Sequence, residues 1–220
     1  MTYNFQFRDV WRNFDVLLEG AWLTLELSAL TMAFGLLLGI VAAFFKTSGI
    51  QPLRWLAVGY VETIRNTPLL VQLFIVFFGL PSLGVKLTAW EAAVIGLSIN
   101  VGAYITEIVR AGIEAVHHSQ VEAGLSLGLS RLQVFRYVVL MPALKTIYPA
   151  LASQFVLLLI ATSIVSQIST EELFHMGGFL ESRTFRSFEI YLVITGMYLA
   201  MALGFRGLFA VIHRLVFPRH

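Results

Sequence analysis

Residues 21–45 read AWLTLELSALTMAFGLLLGIVAAFF, and residues 146–170 read TIYPALASQFVLLLIATSIVSQIST. The first run holds one charge, Glu26, and the second holds none. A helix crosses the hydrocarbon core of a bilayer with about 20 predominantly apolar residues. Each run is therefore long enough to span. Three more uncharged gaps follow the same logic: Asn66–Val85, Ala92–Thr106 and Ile190–Phe205, the last continuing past Arg206 to Ile212. The shorter gaps reach spanning length when an end charge snorkels or faces protein. The spacing predicts an all-α membrane protein with about five transmembrane helices, at 17–45, 57–80, 89–112, 146–168 and 188–213. They form a single transmembrane domain over residues 1–220.

Composition agrees. The 220 residues are 58% apolar and 13% charged, with a mean hydropathy of +0.80. Soluble domains carry about 25% charged residues, so this chain cannot cover a globular surface with polar side chains. A net charge of +2 without a basic run excludes nucleic-acid binding as a function class. Zero cysteines exclude disulfide scaffolds and Cys-ligated metal. Met1–Gly20 carries Asp9, Asp15 and Glu19 ahead of the first apolar run, which is not the pattern of a cleaved signal peptide. Its Phe5, Phe7, Val10, Trp11 and Phe14 suit a short amphipathic lead-in along an interface.

Five spans put the termini on opposite sides. With the N-terminus outside, the inner segments hold Lys46, Arg54, Arg110, Arg131, Arg136, Lys145, Arg214 and Arg219, and the outer segments hold Arg8, Arg12, Lys86, Arg183 and Arg186. The positive-inside rule selects N-out, C-in. The acids agree: Asp9, Asp15, Glu19, Glu91, Glu171, Glu172, Glu181 and Glu189 fall outside and would form an acidic platform.

The inside loop, 113–145, is the longest stretch between spans. Ser119-Gln120-Val121-Glu122 and Ser130-Arg131-Leu132-Gln133 both fit capping boxes, so the spacing predicts two short helices. Gly124 and Gly128 lie four apart in the first. Each costs about 0.8–1 kcal/mol in a helix relative to alanine, which points to a face that something approaches closely. Val121, Leu125 and Leu132 offer apolar contact there. A hairpin lying on the membrane surface explains the loop equally well. Gly35 and Gly39, in the first span, permit close helix packing, within the subunit or against another.

Other patterns weaken on inspection. Gly124-Leu125-Ser126-Leu127-Gly128 matches a nucleophile elbow, but that motif needs a strand before it, and no aspartate follows. His118 and Glu122 lie four apart without a third ligand, so no metal site is expected. Ionisable groups inside a span pair with one another, so Glu62–Arg65 or Arg65–Glu107 is expected as a structural ion pair. Polar groups in apolar spans are candidates for lining a passage. They are Asn100 and Tyr104 in helix three, and Gln154, Thr162, Ser163, Ser166 and Gln167 in helix four. The hydroxyls among them could instead bond back to their own helix.

Three motifs resemble those of a known family. Glu122-Ala123-Gly124-Leu125-Ser126-Leu127-Gly128 looks like the Glu-Ala-Ala loop of permease subunits of ATP-binding-cassette importers. Glu62-Thr63-Ile64-Arg65-Asn66-Thr67-Pro68-Leu69-Leu70-Val71-Gln72-Leu73 and Gly102-Ala103-Tyr104-Ile105-Thr106-Glu107-Ile108-Val109-Arg110-Ala111-Gly112-Ile113 resemble signatures of its polar amino acid branch. The likeness covers residues 17–215. It departs at Gly124, where the family has alanine, and at Pro142, one place late. Ile160-Ala161-Thr162-Ser163 stands where the family often carries Lys-Asp-Thr-Ser.

The resemblance implies a multi-pass subunit of the bacterial cytoplasmic (inner) membrane that imports a polar amino acid. The first loop helix would be the coupling helix, with Glu122, Ala123, Gly124, Leu125 and Gly128 contacting the ATPase. The partners implied are ATP-binding-cassette ATPase subunits, a second permease subunit (the same or a related chain) and an extracytoplasmic solute-binding protein. No Gly-x-x-x-x-Gly-Lys-Ser/Thr sequence occurs in the chain. No cofactor is expected on this chain, and ATP and Mg would sit on the partner ATPase. The protein would be a transport subunit and not itself an enzyme. A stand-alone channel or secondary carrier for small polar solutes is the alternative.

Overall fold

The uncharged runs 21–45, 92–106 and 190–205 lie within helices longer than themselves. A computed structural model describes residues 4–217, so Arg219, counted above among the inner cations, lies outside the described residues. After a short turn of helix, α1 (Arg8–Arg12), the first span is α2 (Phe14–Thr47). In the place of the expected second span stands a bent pair, α3 (Gln51–Arg65) followed by α4 (Leu69–Phe74), a π turn over Ile75–Gly79 and the single turn α5 (Leu80–Ser82). The third is α6 (Ala89–Glu114). In the loop stand α7 (His118–Ser126) and α8 (Arg131–Val134). A π turn, Phe135–Val139, runs from α8 into α9 (Leu140–Ala161), which tightens to a 3-10 turn over Thr162–Ile168. The chain closes with α10 (Leu173–Thr184) and the last span, α11 (Ser187–Val216).

Among the described residues, four helices are long and apolar enough to cross a membrane, and five do so if the bent second pair is one span. That bend corrects the expected straight helix over 57–80. Gln51–Arg65 and Leu69–Ser82 meet at 110°. Pro68 is the cause: it has no N–H for the carbonyl of Ile64, and it pushes Thr67 out of the helical region.

α6 is the most enclosed span and α11 the least. α2 and α6 run parallel, with Gly35 against Ser98, Val101 and Gly102 and Gly39 against Ile105 and Gly102. A Cβ on Gly39 would lie 2.6 Å from the Ile105 side chain and 2.9 Å from the Gly102 carbonyl oxygen. The glycine pair therefore serves packing within the subunit. Thr24, Ser28 and Thr31 on α2 are buried and bond back to the carbonyls of Gly20, Thr24 and Leu27. Around this seam Leu27, Leu73, Leu97, Val101, Ile105 and Leu158 form the main core.

A second, smaller core joins α1 and α2 to α10 and α11 through Val10, Leu17, Leu173, Leu180, Ile190 and Ile194. Val10 is thus packed inside, whereas Trp11 and Phe5 are exposed as an interface-lying segment requires. The expected acidic platform is also smaller than eight. Glu172 and Glu189 are fully buried. Glu189 accepts the Gln6 amide at 2.9 Å. Glu172 caps α10 by accepting the amides of Phe174 (2.9 Å) and His175 (2.8 Å), and takes the Tyr198 hydroxyl at 2.6 Å. Burial pushes the Glu172 carboxyl above the usual carboxylate range against these hydrogen bonds.

Candidate functional site

Gln72, Asn100, Tyr60 and Tyr104 gather at the bend. The Gln72 side chain, 8% exposed, sits one turn past Pro68. Its Nε2 donates to the carbonyl of Ile64 at 2.7 Å, to the carbonyl of Thr67 at 3.1 Å and to the Thr67 hydroxyl at 2.8 Å. Its Oε1 accepts from Asn100 Nδ2 on α6 at 2.9 Å. Tyr60 on α3 donates to the Ile99 carbonyl at 2.6 Å. One turn along α6, Tyr104 lies under the Arg65 guanidinium, 5.3 Å from ring centroid to Cζ. Both helix-three candidates therefore face the bend. Gln72 was quoted above inside a motif without a role. Its signal was a buried-type glutamine four residues after a proline in an uncharged run.

The helix-four candidates lie on a different face. Thr162, Ser163 and Ser166 bond to the carbonyls of Leu159, Ile160 and Ser163. Thr162 is fully buried, Ser163, Ser166 and Gln154 are half-buried and Gln167 is exposed. None of them lines the groove of about 560 Å³ between α9 and α11, which is walled by Tyr148, Ser153, Leu157, Arg206, Phe209 and His213.

The expected ion pair is corrected. Glu107 binds Lys46 at the end of α2 at 2.5 Å and Arg110 at 2.9 Å, while Arg110 also reaches Glu114. Arg65 instead stacks on Tyr104, and Glu62 accepts from Asn66 Nδ2 at 3.1 Å. Lys46 was missed because it closes the first span, and only the parallel packing of α2 on α6 brings it to Glu107.

In the loop, Ser130 and Gln133 form the expected capping box. The first box does not form: α7 begins two residues earlier, and His117 Nδ1 accepts the Ser119 amide at 3.3 Å in its place. Gly124 is buried, and a Cβ there would meet Val134 at 3.1 Å and Val138 at 3.5 Å. Its close approach is therefore to the loop's own second helix. Gly128 is not in the helix at all: it takes φ +81°, the left-handed position that ends α7 and favours glycine. What α7 leaves outward is Glu122, Ala123 and Leu125, with Leu127 and Leu132 beside them at 82% and 77% exposure. Glu122 sits 3.2 Å from His118 Nδ1. Among the described residues no group of three His, Asp or Glu could hold a metal ion.

Comparison with known proteins covers nearly the whole chain. The family described as "Binding-protein-dependent transport system inner membrane component" matches residues 35–218. The glutamine transport system permease protein of Escherichia coli (strain K12) is 36% identical over 201 residues, 90% of this chain and 92% of that one. The L-cystine transport system permease protein of Bacillus subtilis (strain 168) is 42% identical over 168 residues, 76% of this chain and 72% of that one. A crystal structure of an amino acid ABC transporter with histidines is 38% identical and superposes at a TM-score of 0.91, over 96% of this chain and 99% of that chain. An inward-facing methionine ABC transporter shares the fold at 17% identity, with a TM-score of 0.76 over 93% of this chain and 98% of that chain.

Proposed function

We propose a role that proceeds from one premise: the chain belongs to the family of binding-protein-dependent transport system inner membrane components. It is the membrane-spanning permease subunit of a bacterial inner-membrane ABC importer for amino acids, and ATP hydrolysis resides on a separate subunit. A binding-protein-dependent importer has ATPase and binding-protein partners, which sets the stand-alone channel aside. The observation that carries this reading is the likeness, over 96% of the chain, to an amino acid ABC transporter structure at 38% identity.

The substrate is a polar amino acid delivered from the outer side, as relatives named for glutamine, cystine and arginine suggest. The N-terminus lies outside and the C-terminus inside. Two permease subunits, identical or related, enclose the pathway, and Mg-ATP binds only the ATPases. α7 is the coupling helix. Its position between two spans supports this, as do the apolar Leu125 on α7 and Leu127 at its C-terminal end, both exposed among the described residues. Glu122 and Ala123 flank that contact, while Gly124 and Gly128 shape it from beneath by allowing α8 to close and α7 to stop. Tyr104, Gln154, Thr162, Ser163, Ser166 and Gln167 supply polar groups toward the pathway. Gln167 is the most open of the helix-four set, and Thr162 is buried.

Co-purification with a tagged ATPase from native membranes tests the coupling assignment. Leu125→Asp with Leu127→Asp buries two charges at the contact and is expected to remove the ATPase while the permease remains in the membrane. Retention of the ATPase at the native ratio contradicts the placement.

A further inference from the structure

We infer that Gln72 is the positioning residue of the bent second span, and that Asn100 acts on translocation by holding Gln72 rather than by touching the solute. This rests on the permease reading. The bend leaves the Ile64 carbonyl without the N–H that Pro68 lacks, and it exposes the Thr67 carbonyl at the turn. Inside a membrane an unsatisfied carbonyl costs several kcal/mol, because no water is there to take it. The primary amide of Gln72 offers two hydrogens and two acceptor lone pairs. The hydrogens serve the Ile64 and Thr67 carbonyls and the Thr67 hydroxyl at 2.7, 3.1 and 2.8 Å. The acceptor oxygen is filled by Asn100 at 2.9 Å. A side chain with its donors on one segment and its acceptor on another is a tie, and here it joins the break to the most enclosed helix of the bundle.

The tie is specific in direction. Gln72 can satisfy the break only with Nε2 turned toward Ile64 and Thr67, which points Oε1 at α6. Asn100 must then donate, so one hydrogen of its amide is committed to Gln72. Tyr60 secures the other arm at the neighbouring Ile99 carbonyl, and Leu73 packs on Gly96 with a would-be Cβ contact of 2.7 Å. The bend is thus held on both arms by α6, and Arg65 is fixed over Tyr104. A span bent in this way moves as one body with α6 when the bundle rearranges.

The test uses the assembled transporter with its ATPase and binding protein in proteoliposomes, with Gln72→Leu, Asn100→Ala and the double variant. Two readouts are taken together. Maximal uptake is expected to fall about tenfold for Gln72→Leu and less for Asn100→Ala, since losing a buried partner is worth about one power of ten. The KM for the solute-loaded binding protein and the order of preference among amino acids stay as in the wild type. The double variant is no worse than Gln72→Leu alone, because Asn100 has nothing left to hold. Hydrogen exchange of the segment 64–74 is read on the same complexes, independently of transport. It rises with Gln72→Leu, and rises less with Asn100→Ala. A changed amino acid preference or KM in Asn100→Ala, additive losses in the double variant, or unchanged exchange over 64–74 in Gln72→Leu each overturns the inference. If the wild-type complex shows no ATP-dependent uptake, the permease reading fails, and the exchange measurement still decides the tie.

Discussion

The seam between α2 and α6 and the bend between α3 and α4 solve the same problem in opposite ways. At the seam two straight helices, each with its own backbone satisfied, approach closely because Gly35, Gly39 and Gly102 carry no side chain where they meet. Packing holds it, and the buried hydroxyls of Thr24, Ser28 and Thr31 turn back on their own helix. At the bend the helix is interrupted; Asn66 and Thr67 bond the carbonyls of Glu62 and Thr63, and Gln72 bonds those of Ile64 and Thr67 and ties the break to α6. Dry close contact makes a rigid frame in lipid, where apolar burial between helices has little driving force. Irregular backbone is admitted only where protein groups satisfy it. Added volume is therefore expected to harm the seam most, and lost hydrogen bonds the bend.

That contrast can be broken most severely at Gly39. Gly39→Leu adds a side chain where even a Cβ lies 2.6 Å from Ile105 and 2.9 Å from a backbone oxygen. Backbone cannot yield cheaply, and overpacking costs about 1–3 kcal/mol or more. The expected result is loss of nearly all assembled complex, read as yield after co-purification with the ATPase. Normal yield would mean that the seam is not the frame.

A smaller change separates volume from hydrogen bonding at the bend. Thr67→Val keeps the shape and removes both one acceptor of Gln72 and the donor to the Thr63 carbonyl, leaving the two carbonyl bonds of Gln72. Its expected cost is about 1 kcal/mol, seen as a lowered melting temperature of the purified complex with transport retained. A loss as large as that of Gly39→Leu would put the weight of the bend on the hydroxyl and not on the carbonyls.

At the third level stands the buried cap of α10. The Glu172 carboxyl is raised by burial, so the folded chain holds its proton more tightly than the unfolded chain. Its contribution is fully present below the ordinary carboxylate value and is lost as pH rises through the raised value. Glu181 runs the other way. Hydrogen bonds from Ser187 and Tyr191 lower it, so its contribution is present above the ordinary value and lost as pH falls through the lowered one. Glu172→Gln should remove the slope above the ordinary carboxylate value in a melting series from pH 8 to 5. An unchanged series would assign that slope elsewhere. The smallest effect belongs to Lys46→Met. Glu107 keeps Arg110 at 2.9 Å after the loss of Lys46, so stability should fall by less than about 1 kcal/mol, measured in the same melting experiment.

Much of this architecture was legible in the chain because membrane spans are written in the absence of charge. The runs 21–45 and 146–170 fixed two helices to within a few residues at their far ends, and the family motifs carried the identity. The bend was hidden because an uncharged run says how much chain lies in the membrane and nothing about its path; Pro68 was the only mark of it. The loop glycines were read as one face, yet Gly124 meets Val134 and Gly128 ends the helix. Spacing in sequence does not reveal where a helix stops. The ion pair failed for a related reason. Lys46 and Glu107 are 61 residues apart, and only the parallel seam joins them. Charge counts likewise assigned Glu172 and Glu189 to a surface from which burial removes them.

The central claim is that this chain carries an amino acid across the membrane only when a binding protein and an ATPase act on it. It is tested most directly by uptake of radiolabelled polar amino acids into proteoliposomes holding the permease–ATPase complex. ATP is sealed inside and the solute-loaded binding protein is added outside. Uptake that requires ATP and the binding protein together, and that stops when either is left out, is the predicted result. Uptake of equal rate with the permease alone contradicts the account.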